Sequence, residues 1–225
     1  MRESAALLGA SLGRLIVLYL LVILSVIFAY RLPYVAIPLS ATLGAIGTAG
    51  FFCALETTRQ GRAPSIADML YPWRLPTEKM LLLVAAGLIP TLFGLFVWWL
   101  DVGPDRLADL IGSGEAAAQR TVAERVEFSL AIEIASLPIT FVIPFCVLYS
   151  WSASRTVSAN VLACVANWRW LAAFCAFSCI FDIASIGLVD VKSVTSGLAG
   201  MSAQIAVDMF STAFVLILML RSLHE

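Results

Sequence analysis

The sequence contains little charge and almost no histidine. Asp, Glu, Lys and Arg together make up 13% of the 225 residues, and His224 is the single histidine. Soluble globular domains carry about 25% charged residues, so the composition argues against a soluble fold. One histidine near the C-terminus cannot build the histidine-based zinc sites of metalloenzymes. The formal net charge of −1 provides no general attraction to nucleic acid.

Signatures of catalysis are missing as well. The chain has no Gly-rich phosphate loop, no HExxH and no Gly-x-Ser-x-Gly, which are the common motifs of nucleotide, zinc-protease and hydrolase chemistry. Its cysteines lie mostly in apolar runs, where cysteine behaves as a small hydrophobic residue, and they predict neither a disulfide framework nor a metal site. They are Cys53, Cys146, Cys164, Cys175 and Cys179. We therefore expect no enzymatic activity, no cofactor and no metal.

Apolar residues dominate what is present, at 61% of the chain. They form six runs, each long enough to cross a bilayer core of about 30 Å. These runs are 8–30, 34–55, 80–100, 128–151, 170–189 and 201–220. The sequence predicts an all-α fold, a single polytopic membrane bundle of six transmembrane helices with short interfacial helices. The lipid bilayer is its first expected partner.

The distribution of Lys and Arg predicts the orientation of the bundle, because cytoplasmic loops of membrane proteins are enriched in both. With the N-terminus inside, nine basic residues fall on the cytoplasmic side and five on the outer side. The inner set is Arg2, Arg14, Arg59, Arg62, Arg74, Lys79, Arg155, Arg169 and Arg221, and the outer set is Arg31, Arg106, Arg120, Arg125 and Lys192. Both termini are expected in the cytoplasm.

The two longer inner loops resemble each other. "GRAPSIADMLYPWRL" and "SASRTVSANVLACVANWRW" both continue from Arg through Ser and an amphipathic segment to Trp-Arg. Each loop predicts a short helix in the membrane interface, where tryptophan anchors and arginine reaches phosphates. The lipid-headgroup candidates are Trp73 and Arg74 in the first loop and Trp168 and Arg169 in the second. In the first loop, Ser65 and Asp68 have the spacing of a capping box.

These loops also resemble a known family. The stretches "CALETTRQGRAPSIADMLYPWRL" and "PFCVLYSWSASRTVSANVLACVANWRWLAAF" look like the corresponding segments of a family of uncharacterised bacterial six-helix inner-membrane proteins. The resemblance covers the inner loops only, and the ending "LMLRSLHE" departs from the aromatic-rich ending of that family. It implies a helical fold and a location in the bacterial inner (plasma) membrane, and it implies no catalytic residue.

Three predicted spans each carry one acidic residue near their outer end. Glu133, Asp182 and Asp208 are each preceded four residues earlier by a polar residue and followed three residues later by a serine. The three sets are Ser129/Glu133/Ser136, Ser178/Asp182/Ser185 and Gln204/Asp208/Ser211. Such spacing puts each set on one helical face. At 1.5 Å per residue, all three acids are expected roughly 7–11 Å below the outer boundary.

An acidic residue in a membrane span usually faces the protein interior, so spans four to six are expected to pack around a shared polar site. Three interpretations stay open: interhelical hydrogen bonding that only stabilises the bundle, an ion or proton site, and a site for a partner. The first functional hypothesis is a non-enzymatic inner-membrane protein acting through association, as an accessory subunit, an immunity-type factor or a membrane-integrity factor. The others are a small transporter or proton/cation-coupled carrier, and lipid handling. The partner could be another membrane protein or a second copy.

Glycines along the second span predict close helix packing. Gly44, Gly47 and Gly50 recur every three residues, a spacing that leaves one side of a helix smooth and lets another backbone approach. The pattern fits ordinary packing within the chain as well as self-association.

Overall fold

The computed structural model describes residues 11–29, 32, 35–112, 121–190 and 194–222, without the side chains of 109–112, 122, 182, 185–190 and 194–204. Within these ranges the chain is all-α. The helices are α1 (Leu12–Ala29), α2 (Ala36–Arg59), α3 (Ile66–Leu70), α4 (Thr77–Gly112), α5 (Val122–Ser136), α6 (Val142–Leu148), α7 (Ala153–Ala166), α8 (Trp168–Asp190) and α9 (Val194–Ser222), with 3-10 turns at Tyr71–Arg74 and Leu137–Ile139.

Several of these helices are long and apolar enough to cross a membrane. Among the described residues, α1, α2 and the Thr77–Ala108 part of α4 meet that standard alone, and counting each of two bent helix pairs as one span raises the number to five. The bent pairs are α5 with α6 and α7 with α8. The chain is thus a helical bundle whose apolar helices suit a membrane, with three to five candidate spans.

Helix α2 forms the centre of the bundle. It packs against α1, α3, α4, α6 and α9, and its residues Ala49, Phe51, Ala54 and Leu55 are fully buried. In water such burial would stabilise a fold by the hydrophobic effect, but lipid is also apolar, so helices in a membrane associate mainly through close van der Waals packing. The small residues of α2 allow that packing.

The glycine pattern of α2 is used inside the chain. A Cβ on Gly47 would lie 2.4 Å from a methyl carbon of Val22 on α1, and a Cβ on Gly50 would lie 2.5 Å from the backbone oxygen of Met69 on α3. Gly44 has more room, with the nearest atom, on Val26, at 3.9 Å. Gly47 and Gly50 therefore serve packing within the molecule, one against a helix and one against a backbone.

The hairpin of α4 and α5 is closed by aromatic contacts. Trp98 is fully buried, stacks on Phe128 with 4.4 Å between ring centroids, and donates its indole N–H to the backbone oxygen of Glu124 at 2.7 Å. A kink at Gly103, whose φ is 79°, ends the straight part of α4. Helix α5 starts at Val122, several residues before the run at 128 predicted from hydropathy, because Thr121 and Glu124 form a capping box that satisfies its first N–H groups.

The apolar run 128–151, expected as one span, is a broken helix. The 3-10 turn Leu137–Ile139 separates α5 from α6, and the two halves are bent by 48°. Pro138 explains the break, because proline lacks the N–H that would continue the helix and its ring clashes with the preceding turn.

Both of the loops that were expected on the inner side contain short helices, but these helices differ in form. Helix α3 has five residues and passes into the 3-10 turn Tyr71–Arg74, whereas α7 has fourteen residues. The predicted capping box is present, since the backbone N–H of Ser65 donates to the Asp68 carboxylate at 2.7 Å. Helix α7 meets α8 at an angle of 82°, so the chain turns sharply at Asn167.

Candidate polar sites in the helical bundle

The break between α5 and α6 is filled by the side chain of Asn160 from α7. Its amide nitrogen donates to the backbone oxygen of Pro138 at 2.7 Å, and its amide oxygen accepts the backbone N–H of Phe141 at 3.0 Å. The Asn160 side chain is 2% exposed. Unpaired backbone groups in an apolar interior cost several kcal/mol each, and this one amide pairs with two of the backbone groups at the break.

Helix α7 is placed for this role by its two faces. Thr156, Asn160 and Ala163, spaced by four and three residues, are buried against the break and α6. The opposite face exposes Val157, Val161, Leu162 and Val165. The buried face thus includes two polar side chains, and the exposed side carries four large apolar ones, more than is usual for a helix that packs on a soluble protein. This arrangement suits a helix with lipid on its outer side.

A second buried polar group, Lys79 at the start of α4, lies against the end of α6. The Lys79 side chain is 5% exposed, and its Nζ donates to the backbone oxygen of Cys146 at 3.0 Å and also to that of Tyr149. The last carbonyls of a helix lack intrahelical partners and carry partial negative charge. The Lys79 ammonium group supplies the missing hydrogen bonds and balances the partial negative charge, which explains how a lysine can be buried at this position.

A cleft of about 660 Å³ opens beside Lys79. Its walls include Tyr71 and Glu78 on one side and the extended segment Tyr149–Ser152 on the other. In that segment Tyr149 stacks on Trp151 with 4.5 Å between centroids, and the Arg155 guanidinium lies 4.9 Å from the Trp151 ring centroid. The cleft therefore combines non-helical backbone with aromatic and charged side chains.

Asp208, one of the three predicted acids, is bound by a tyrosine from the first helix. The Tyr19 hydroxyl donates to an Asp208 carboxylate oxygen at 3.0 Å, and the Tyr19 ring packs edge-on against Phe51 of α2, 5.2 Å between centroids. This contact connects α1, α2 and α9. A hydrogen bond to a carboxylate is charge-assisted and stronger than a neutral one, so Asp208 has a clear structural role.

Glu133, the second acid, lies on α5 where that helix faces α8. On α8, which packs against α5, the sulfur atoms of Cys175 and Cys179 are 3.9 Å apart. Helix α8 packs against both α5 and α9, so the helices bearing the three acids are neighbours in the order α5, α8, α9.

The polar residues predicted to flank the acids have varied roles. Ser136 donates to the backbone oxygen of Glu133 at 2.7 Å, and Ser211 donates to that of Val207 at 2.6 Å. Such bonds to a preceding turn leave little hydroxyl capacity for a ligand. Ser178 is buried on α8, and Ser129 is half-buried on α5. The side chains of Asp182, Ser185 and Gln204 lie outside the described residues, so the predicted meeting of three acids stays a prediction.

The four lipid-headgroup candidates are all exposed. Trp73 and Arg74 lie in the 3-10 turn after α3, and Trp168 and Arg169 begin α8. Trp168 is 61% exposed, and the Arg169 guanidinium lies 5.5 Å from its ring centroid. An exposed tryptophan paired with a cation is typical of the boundary between acyl chains and headgroups.

Sequence reasoning missed Asn160, Lys79 and Tyr19 as site residues. The signal for Asn160 was its place on a helix rich in valine and alanine, opposite the apolar face. No sequence feature marked Lys79 or Tyr19 as a site residue, since a lysine at a span boundary and a tyrosine within a span are both common. Their partners are distant in the chain and become neighbours only when the helices pack.

No group of three or more His, Cys, Asp or Glu side chains that could hold a metal ion occurs among the described residues. Comparison with known proteins adds no assignment, because no family model, no curated protein and no solved structure matches the chain.

Proposed function

We propose that this chain is a six-span protein of the bacterial inner membrane, with both termini in the cytoplasm, that acts by associating with another membrane protein and not by catalysis. We count α1, α2 and α4 as three spans, each of the two bent helix pairs as one more, and α9 as the sixth. At 1.5 Å per residue its 29 residues extend over about 43 Å, more than a bilayer core requires.

One observation carries the functional part of the proposal: three polar side chains in the described part of the bundle are hydrogen-bonded by the bundle itself. Asn160 is bonded to the break, Lys79 to the end of α6, and Asp208 to Tyr19. A binding site for a solute needs polar groups that are available to form hydrogen bonds with the solute. Because these three groups already bind other parts of the chain, they favour a protein that offers a stable surface to a partner over one that binds a solute.

The cleft beside Lys79 is the surface we assign to the partner. It combines the extended segment Tyr149–Ser152 with Tyr71, Glu78 and Trp151. Partly exposed aromatic residues are enriched in the energetic centres of protein interfaces. Extended backbone can also exchange hydrogen bonds with a partner's backbone.

Native mass spectrometry of the protein, extracted gently from its own membranes, tests the proposal. We expect a protein partner in fixed stoichiometry, lost in Trp151→Ala and retained in the control Trp99→Ala, since Trp99 is exposed on α4 away from the cleft. Recovery of the lone chain or a homo-oligomer from wild-type membranes would contradict association with another protein.

A second candidate function, a proton- or cation-coupled carrier, is favoured by the adjacency of α5, α8 and α9. An acidic residue in a span carries a functional hypothesis by default. If the three acids bind an ion, the triple variant Glu133→Gln, Asp182→Asn, Asp208→Asn loses flux in liposomes while keeping its helical circular dichroism. Equal flux in the wild type and the variant would rule the carrier out.

A further inference from the structure

A groove of about 310 Å³ lies between α8 and α9, and most of its lining side chains are aromatic. Trp170, Phe174 and Phe177 form its wall on α8, and Phe210, Phe214 and Arg221 line it on α9. None of these residues belongs to the acid site, to the cleft beside Lys79 or to the four headgroup candidates.

The walls of the groove are ordered by helix geometry and ring stacking. The α8 residues are spaced by four and three, which puts them on one face. Phe174 stacks on Phe214 across the groove with 5.6 Å between centroids, and Phe210 stacks on Phe214 along α9 at 6.5 Å. The rings that line the groove are therefore in contact with one another, both across it and along α9.

Its two ends differ in chemistry. Trp170 stands near the start of α8 and Arg221 near the end of α9, and both line the groove, so the cation and the indole share one end. Phe177 and Phe210 lie toward the other end, which is purely apolar. Tryptophan at the charged end matches the aromatic belts found at membrane interfaces.

The length of the groove matches one leaflet of a bilayer. Along α9, Phe210 and Arg221 are separated by about 16 Å at 1.5 Å per residue. Half of a hydrocarbon core of roughly 30 Å is about 15 Å. A phospholipid has the complementary groups. Its phosphate suits the cation at one end of the groove, and its acyl chain suits the aromatic walls over the depth of one leaflet.

We propose that this groove is a binding site for an anionic phospholipid of the surrounding membrane. The acyl chain lies along Phe174, Phe177 and Phe214, and the phosphate accepts hydrogen bonds from the Arg221 guanidinium, whose planar fork suits phosphate oxygens. An anionic lipid is favoured over a zwitterionic one because each basic residue near the surface adds to the attraction for negative lipid.

The test uses the full chain, purified in detergent and titrated with palmitoyl-oleoyl phosphatidylglycerol or the phosphatidylcholine with the same acyl chains, with bound lipid counted by native mass spectrometry. We expect wild type to prefer phosphatidylglycerol and Arg221→Gln to lose about fivefold in that affinity. Arg221→Lys should keep most of it. Arg62→Gln, which removes an exposed cation between α2 and α3, should change nothing.

A second pair of variants tests the acyl-chain part of the site. Ala173 lines the groove, so Ala173→Trp should fill it and reduce binding of both lipids. Ala176 is exposed on the same helix outside the groove lining, and Ala176→Trp should bind as wild type does. Soluble glycerophosphoglycerol should not compete, since it has no acyl chain.

The proposal is overturned if Arg221→Gln keeps the wild-type preference for phosphatidylglycerol, or if Ala173→Trp binds lipid as well as Ala176→Trp does. Thermal unfolding of each variant, monitored by circular dichroism, shows whether a loss of lipid reflects a loss of fold. Competition by glycerophosphoglycerol would identify a headgroup site without a chain site and would also contradict the proposal.

Discussion

Two loops with similar sequences, 60–76 and 149–167, have different relations to the bundle. The first carries α3, whose Met69 backbone packs closely against Gly50 of α2. The second carries α7, which inserts Asn160 into the break of a span. A shared pattern of Arg, Ser, amphipathic segment and Trp-Arg thus leads to close packing on a continuous helix in one case and to hydrogen bonds with a broken helix in the other.

The difference comes from what each loop meets. Helix α2 is continuous beside α3, so its backbone groups are already paired, and α3 contacts it through close packing and a bond between the Thr57 and Asp68 side chains. The broken span beside α7 presents an open N–H and an open carbonyl, and a polar side chain gains by pairing with them. Helix α7 is therefore held against the broken span by hydrogen bonds from Asn160 to backbone groups at the break.

The largest effect is expected from Asn160→Leu. Leucine has a similar size but leaves the Phe141 N–H and the Pro138 carbonyl buried without this partner, at about 1–3 kcal/mol each. We expect the free energy of unfolding to fall by about 4 kcal/mol, measured by denaturant titration in detergent micelles. The control is Ser158→Ala, an exposed change on the same helix. A loss below about 1 kcal/mol would mean that the amide does not support the break.

Lys79→Met should have the next largest effect, because Lys79 connects the two loops: it follows the first in the chain and binds the carbonyls that precede the second. Methionine keeps most of the volume and removes the charged donor, so we expect a loss of about 3 kcal/mol in the same titration. The neighbouring Glu78→Gln, exposed at the cleft, should change little. Equal stability of the two variants would contradict a structural role for this ammonium.

Gly50→Ala tests the first loop. The added Cβ would lie 2.5 Å from the Met69 backbone oxygen, which cannot rotate away, and overpacking of this kind costs about 2 kcal/mol. Gly44→Ala is the matched control on the same helix, since its Cβ has 3.9 Å to the nearest atom. If both variants unfold at the same denaturant concentration, the close contact at Gly50 is not made.

The smallest effect is expected from Asp68→Ala. It removes the capping box of α3 and the bond from the Thr57 hydroxyl to Asp68 at 3.0 Å, a loss of about 1 kcal/mol. Hydrogen exchange should speed up in residues 60–76 and remain unchanged in 149–167. The converse variant, Ser152→Ala at the start of α7, should affect only the second loop. Faster exchange in both loops from either change would show that the loops are coupled.

Local features of the fold were predictable because they depend on near neighbours. The Ser65–Asp68 capping box, the kink at Pro138 and the smooth glycine side of α2 each follow from residues within one or two helical turns. Hydropathy predicted one apolar run over 128–151, but because it averages over a window it could not give the angle of 48° between the two halves of that run. The start of α5 was missed for a similar reason: its first turn is polar, and only its cap marks it.

The candidate site was less predictable, as its contacts join distant parts of the chain. The sequence pattern identified Asp208 and Glu133 but not their surroundings: Tyr19, Asp208's donor, is 189 residues away in the chain. The acyl-chain groove had no signature in either helix alone, because half of its wall comes from α8 and half from α9.

By itself the sequence determined that this chain is a membrane-type helical protein, where its apolar helices lie and which loops carry short helices. These properties follow from composition, apolar run length and local capping, which need no knowledge of packing. Only the tertiary structure decided that Asn160 fills the break, that Lys79 binds the end of α6 and that Asp208 meets Tyr19. Such pairings depend on how each helix is rotated and tilted against its neighbours, and many residues across the whole bundle set those angles together.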